Sequence, residues 1–200
     1  MFGRHSAPGE ARPSASRPDA GEDVRLIEKV ARRDLRAFEE LYRAYHPRLA
    51  RFIRTIVRSV PLVEEVLDDT MMVVWRHSDR YNGKSKVSTW IFAIAYRKAL
   101  KALKRHQEPI EDKHAETRES DEAGPELEVG RRQTQQALIR AISELSRDHR
   151  AVVDLTYFHG IGYREIAEIM ECPVDTVKTR MYYARRHLKR VLPGALADWL

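Results

Sequence analysis

The sequence predicts an all-α protein built as two small helical domains joined by a flexible acidic linker. Three observations carry that prediction. Apolar residues recur at steps of three and four through most of the chain, the period of a helix with one buried face. The charge runs basic, acidic, basic: 19 basic against 10 acidic residues over 23–106, 2 against 9 over 108–128, and 12 against 7 over 130–190. Near the end, a short helical stripe, a tight turn and a longer amphipathic stripe follow one another, the outline of a helix-turn-helix.

Residues 1–22, "MFGRHSAPGEARPSASRPDAGE", hold many Pro, Gly, Ser and Ala and almost no large apolar groups. Such a segment cannot bury enough surface to offset its ordering entropy, so a disordered arm is expected. The first domain, 23–106, opens with Val24, Ile27 and Val30 on one face, followed by Phe38, Leu41, Tyr42 and Tyr45. Pro47 is expected to break or kink the chain, or to sit in the first turn of the next helix. Leu49, Phe52, Ile53 and Ile56 continue the apolar pattern.

Pro61 opens "PLVEEVLDDTMMVVW", in which Val63, Val66, Leu67, Thr70, Met71, Val74 and Trp75 form a stripe. Glu64, Glu65, Asp68 and Asp69 lie off it, with Met72 and Val73 beside them. Two readings fit this face: a solvated surface with two stray apolar residues, or a surface on which a protein partner docks. Asn82-Gly83 then signals a turn. The loop carries Lys84, Ser85, Lys86 and Ser88 between Tyr81 and Trp90, and Ser88 or Thr89 can cap the helix that follows. That helix bears Arg97, Lys98, Lys101, Lys104 and Arg105 as a basic strip, and Ile91, Ala95, Ala99, Ala102 and Leu103 on another side. Basic residues interleaved with aromatics suit single-stranded nucleic acid: charge for the backbone, ring faces for unstacked bases. Tyr81 and Trp90 fit a plain core equally well.

Residues 107–132 carry acids, Pro and Gly without periodicity and read as a linker. In the second domain, 133–200, Leu138, Ile139, Ile142 and Leu145 share a face, then Val152, Val153, Leu155, Thr156 and Phe158. "YREIAEIM", the "ECP" turn and "VDTVKTRMYYARRHLKRV" complete the domain. Val174, Val177, Met181, Ala184, Leu188 and Val191 form the inner stripe of the last helix, with Pro173 placed in its first turn. Lys178, Thr179, Tyr182, Arg185, Arg186 and Lys189 form its outer face.

The net charge of +6 favours a polyanionic partner, nucleic acid or a membrane surface. A single cysteine, Cys172, excludes an internal disulfide and fits a reducing cytoplasm. No apolar run approaches the roughly 18 residues that span a bilayer, and the first residues lack a signal peptide's apolar core. The eight histidines are scattered, no Gly-rich loop cradles phosphate, and no acid pairs with a base as an active site requires. An enzyme, a metal site and a cofactor are therefore not expected.

"AFEELYRAYHPRLARFIRTIV", "VEEVLDDTMMVVWRHSDRY", "GKSKVSTWIFAIAYRKAL" and "HGIGYREIAEIMECPVDTVKTRMYYARRHLKRVL" together resemble bacterial sigma factors of the extracytoplasmic-function type. The resemblance covers about 35–106 and 133–192. It implies that the first domain is sigma region two, binding the clamp of core RNA polymerase and melting the −10 element. Its clamp helix would be Val63 to Trp75, presenting Glu64, Glu65, Asp68, Asp69, Met72, Val73 and Trp75. The loop from Asn82 to Thr89, with Lys84, Ser85, Lys86, Ser88 and then Trp90, would hold an extruded base. Arg97, Lys98, Lys101 and Arg105 would follow the strand's phosphates. The second domain would be region four, reading the −35 element, and the implied contacts with core polymerase are its clamp and its flap. Lys178, Thr179, Tyr182 and Tyr183 would face base edges, and Arg180, Arg185 and Arg186 phosphate. The linker would enter the polymerase's RNA exit path. An anti-sigma factor is the implied regulator, because the chain shows no sensory domain.

The chain departs from the family pattern at three points. Glu65-Val66-Leu67-Asp68-Asp69 lacks a usual Gln, Arg97 stands where Asn is usual, and Tyr183 stands where Arg is frequent. The first bears on polymerase affinity and the others on promoter sequence. Two further readings stay open on residues alone. A helix-turn-helix regulator acting without replacing sigma explains the last domain, and a protein-interaction module with solvated basic faces explains the charge.

Overall fold

A computed structural model describes residues 20–106 and 136–192, and every described element is helical. The N-terminal domain comprises α1 (Ala20–Ala31), α2 (Leu35–Ile56), α3 (Val60–His77), a 3-10 turn (Ser78–Arg80) and α4 (Val87–His106). The C-terminal domain comprises α5 (136–143), α6 (Arg147–Tyr157), α7 (Tyr163–Met170) and α8 (Val174–Val191). The acidic linker and most of the N-terminal arm lie outside the described residues. No described helix is long and apolar enough to cross a membrane.

The helix α1 starts three residues before the expected boundary, with Glu22 and Asp23 in its first turn, where acids complement the helix dipole. Asp23 is buried and accepts a 2.6 Å hydrogen bond from the Tyr45 hydroxyl, tying α1 to α2. Burial and the Asp23 charge both push the Tyr45 phenol far above its ordinary pKa, so it stays a donor. The chain reverses at Arg33, whose φ is 67°, and Asp34 caps α2 by accepting from the amides of Arg36 and Ala37.

Pro47 neither ends α2 nor opens a new helix; the helix runs unbroken from Leu35 to Ile56. Proline removes one intrahelical hydrogen bond, yet Pro47 and Arg43, the residue four before it, both face solvent, where water satisfies the freed carbonyl. On the opposite face, Leu41, Tyr45, Leu49, Phe52 and Ile53 are wholly buried and hold the helix together. Pro47→Ala is accordingly expected to stabilise the protein by about 1–3 kcal/mol, read as a higher urea midpoint at unchanged slope.

The α3 stripe packs as its period requires: Val63, Val66, Leu67, Thr70, Met71 and Val74 are buried. Thr70 satisfies its hydroxyl on the Val66 carbonyl at 2.7 Å. Ser88 and Thr89 do not cap α4, because the helix already begins at Val87. Nor is α4 buried on one side only: Ile91, Phe92, Ala93, Ile94, Ala95 and Tyr96 are buried in succession. A helix apolar around its circumference needs cover all round. Here α2 and α3 cover one side, and α7 of the C-terminal domain covers the other.

The two domains therefore share one hydrophobic core. The helices α2 and α6 also pack together, and the loop after α6 inserts His159 beside Phe92 and Phe52, ring centroids 4.7 and 6.4 Å away. Within the C-terminal domain, Ile166, Ile169, Val177, Met181, Ala184 and Leu188 pack α7 on α8 and α6. Val191 proves exposed and Leu192 buried in its place, because the chain leaves the helix there and turns extended. Pro173 is the residue preceding the helix rather than part of its first turn.

Candidate nucleic-acid and polymerase interfaces

Three surfaces gather the residues singled out in the sequence. The first is the solvent side of α3. Glu64, Glu65, Asp68 and Asp69 are all exposed, and Met72 stands out with 47% of its surface exposed. Val73 and Trp75 are half-buried, packed against the core. Trp75 lies 5.1 Å from the Phe38 ring, and the Arg33 guanidinium sits over its face while donating to its carbonyl. Three of the acids already have partners: Glu64 with His46 at 3.9 Å, Asp69 with Lys98 at 3.1 Å, and Glu65 with Arg105 and His106. Lys98 and Arg105, expected on DNA phosphates, are therefore held by carboxylates of α3. Lys101 and Arg97 remain exposed on α4.

The second surface is the loop before α4. Asn82 Oδ1 accepts from the Lys84 amide at 3.1 Å, a short turn that places Gly83 at φ +71°. A methyl group at Gly83 would meet nothing within 4 Å, so the glycine is required by backbone conformation and not by space. Gly83→Ala is expected to cost about 1 kcal/mol, and Gly83→Asn less, in thermal unfolding. The Tyr81 hydroxyl closes the loop by donating to the Ser85 carbonyl at 2.6 Å, and its ring packs 5.7 Å from Trp90. Trp90 is half-buried, which joins the core and loop readings of that residue. Lys84 is exposed, while Lys86 reaches across a cleft of about 570 Å3 to Glu165 of α7 at 3.0 Å. Thr89 is buried and donates to the same carboxylate at 3.3 Å.

Glu165 lies at the start of α7 and also accepts from the Gly162 amide at 3.2 Å, capping the helix. Burial raises its carboxyl pKa, but Lys86, the Gly162 amide and Thr89 outweigh it and hold the group below the ordinary carboxylate range. It is therefore a carboxylate at neutral pH.

The third surface is the outer face of α8. Tyr182 and Tyr183 are 61% and 51% exposed and stand edge to face, centroids 5.4 Å apart. The two rings together leave aromatic surface in water on this face of the helix. Lys178 is exposed and paired with Asp175 at 2.9 Å, and Arg186, two turns further along the helix, is exposed as well. Thr179 spends its hydroxyl on the Asp175 carbonyl at 2.8 Å. Arg180 departs from the expectation. Its guanidinium is half-buried, pairs with Asp148 of α6 at 2.5 Å and touches the Cys172 sulfur at 3.6 Å, so it anchors α8 to its own domain. Arg185 donates to the Tyr157 hydroxyl at 3.0 Å and keeps one side of its guanidinium outward.

The sequence reading missed Asp154. It is 4% exposed within α6, between Val153 and Leu155, and accepts from Arg51 at 2.9 Å while pairing with the His159 ring at 2.9 Å. A lone acid inside an apolar stripe was the available signal, since a buried carboxylate needs a partner from elsewhere.

Family models for sigma-70 region 2 and sigma-70 region 4 match residues 41–108 and 135–188. The ECF RNA polymerase sigma-E factor of Escherichia coli strain K12 is 31% identical over 173 residues, covering 82% of this chain and 90% of that one. The RNA polymerase sigma-H factor of Pseudomonas aeruginosa is 28% identical over 187 residues, covering 88% and 97%. The fold is similar to that of the sigma factor RpoE solved in complex with the anti-sigma factor NepR from Bartonella quintana, with a TM-score of 0.60, 22% identity, and coverage of 77% and 95%. The chain belongs to the sigma-70 family, in its extracytoplasmic-function branch. It is a non-catalytic sigma factor that directs promoter recognition by RNA polymerase. The region 2 match removes the reading as a stand-alone helix-turn-helix regulator, which left the first domain without a use.

Proposed function

We propose that the three surfaces divide initiation among themselves. The acidic face of α3, with Met72 at its centre and Trp75 at its end, docks on the clamp of core RNA polymerase. The loop 82–89 and Trp90 take one extruded base of the −10 element, and α4 follows the strand's phosphates through Arg97, Lys101 and, once released, Lys98 and Arg105. The outer face of α8 reads the −35 duplex, with Tyr182, Tyr183 and Lys178 toward base edges and Arg186 and Arg185 toward phosphate. The acidic linker enters the polymerase, and an anti-sigma factor restrains the free protein.

The observation that carries this division is the pair of exposed tyrosines beside Lys178 and Arg186 on the last helix. A ring presents apolar surface to a thymine methyl, and cations beside it fix the backbone. Run-off transcription with core polymerase on fragmented DNA from the source cell tests the reading. Discrete transcripts that depend on the protein support it. Their absence, with duplex binding by the protein alone still falling steeply with salt, would leave only an isolated DNA-binding domain.

A further inference from the structure

The last helix leads with an acid. Asp175 is the one carboxylate along α8 and stands in its first turn, with 90% of its side chain in water. Asp175, Lys178 and Tyr182 follow at steps of three and four, so the carboxylate shares the outer face with two side chains placed on base edges. It also precedes them, at the helix end whose residues touch base edges when a helix-turn-helix docks. An acid there complements the helix dipole. Against DNA, however, its charge is repelled by every phosphate, and it gains only where a base edge donates.

The Lys178 ammonium donates to Asp175 Oδ1 at 2.9 Å. An acceptor and a donor thus stand side by side on the exposed face, at about the separation of an N–H donor and an oxygen acceptor in any hydrogen bond. A G·C pair shows the major groove the complementary set: the cytosine N4 amino group, bonded to guanine O6, with guanine N7 beyond. We infer that Asp175 and Lys178 read one G·C pair of the −35 element as a unit, the carboxylate accepting from cytosine N4 and the ammonium donating to guanine O6 and N7. An ammonium has three N–H bonds, so two remain once Asp175 has taken one. The other bases fit the carboxylate worse. Guanine and thymine present only acceptors to it, and the adenine N6 amino group lies beside N7, whose lone pair repels it. Asp175 is therefore a specificity residue, and its place on the helix decides which strand carries the cytosine. This rests on the placement of α8 against the −35 duplex.

The test uses holoenzyme assembled from the full chain and core polymerase, on a promoter found by run-off transcription. Its −35 region is randomised over one helical turn of DNA, and each transcript carries a tag naming the template that made it. The wild-type protein is expected to favour cytosine over the other bases by about tenfold at one position. Asp175→Asn is expected to move that preference to adenine, whose N6 and N7 an amide takes together. Asp175→Ala should reduce the preference to a few-fold and leave the other positions unchanged. An acid that only supports the helix predicts a uniform loss over all templates, with a lower urea midpoint and no change of profile, and that result overturns the proposal. So does an Asp175→Asn profile equal to the wild type. Identical profiles for Asp175→Ala and Lys178→Ala overturn it as well, because Asp175 would then act only by holding the lysine. A wild-type profile that responds to Tyr182→Ala but lacks the cytosine preference defeats this inference alone. One that is flat at every position and indifferent to Tyr182→Ala defeats the placement of α8 beneath it.

Discussion

Lys178→Ala combined with Tyr182→Ala is expected to abolish transcription from promoters that depend on the −35 element, while polymerase binding is retained. Both side chains stand in water on α8, and neither holds the fold: Tyr182 is 61% exposed, and Lys178 touches only Asp175 of the same helix. A contact to a base edge contributes about 1–3 kcal/mol of discrimination, so losing both should lower promoter affinity by roughly thirtyfold to about ten-thousandfold. The single Lys178→Ala variant should also flatten the salt dependence if its ammonium reaches phosphate as well. Urea unfolding of the double variant should match the parent. A loss of transcription accompanied by a loss of stability would instead place Tyr182 in the structure and not in the interface.

Asp154→Ala is expected to be the most damaging single change to stability away from the purely apolar core, at about 2–4 kcal/mol. The carboxylate is buried, and its removal strands the His159 ring, whose side chain is only 3% exposed. Asp154→Asn keeps the size and one acceptor and should cost less. Arg51→Ala should cost least, because the guanidinium is half in water and its removal lets water reach the acid's edge, although it also forfeits a stack 3.4 Å over Phe158. Urea midpoints in that order are the check, and a larger loss for Arg51→Ala would mean that its stack on Phe158 matters more than the buried pair of Asp154 and His159.

Much of the N-terminal fold was legible because its helices are amphipathic with a single buried face. The stripes Leu41-Tyr45-Leu49 and Val63-Val66-Met71 fall on the core as their spacing dictates. At Pro47 a single residue's backbone preference does not show which side of a helix it faces. Turned to water and opposed by a fully buried face, it is accommodated within the helix. Arg180 is expected on phosphate by its position in the family motif, and sequence spacing cannot show that Asp148, 32 residues away, holds it.

The run "WIFAIAY" is the signal that went unread. Six buried residues in succession from Ile91 to Tyr96 cannot be served by one neighbouring face, so α4 required a second layer. That layer came from a domain expected to lie apart across a linker.

By itself the sequence determined the helical class, the two domains, the amphipathic faces and the family, because these follow from local periodicity and from motifs whose residues lie close together in the chain. Only the tertiary structure decided which charges are free. Lys86 of the loop and Arg97, Lys98 and Arg105 of the strip behind it look alike as sequence, each a cation in a basic segment. In the folded chain each meets a carboxylate from another helix: Glu165, Glu171, Asp69 and Glu65 in turn. Ion pairing depends on distance through space, and separations of 29 to 79 residues along the chain leave no periodic trace of it.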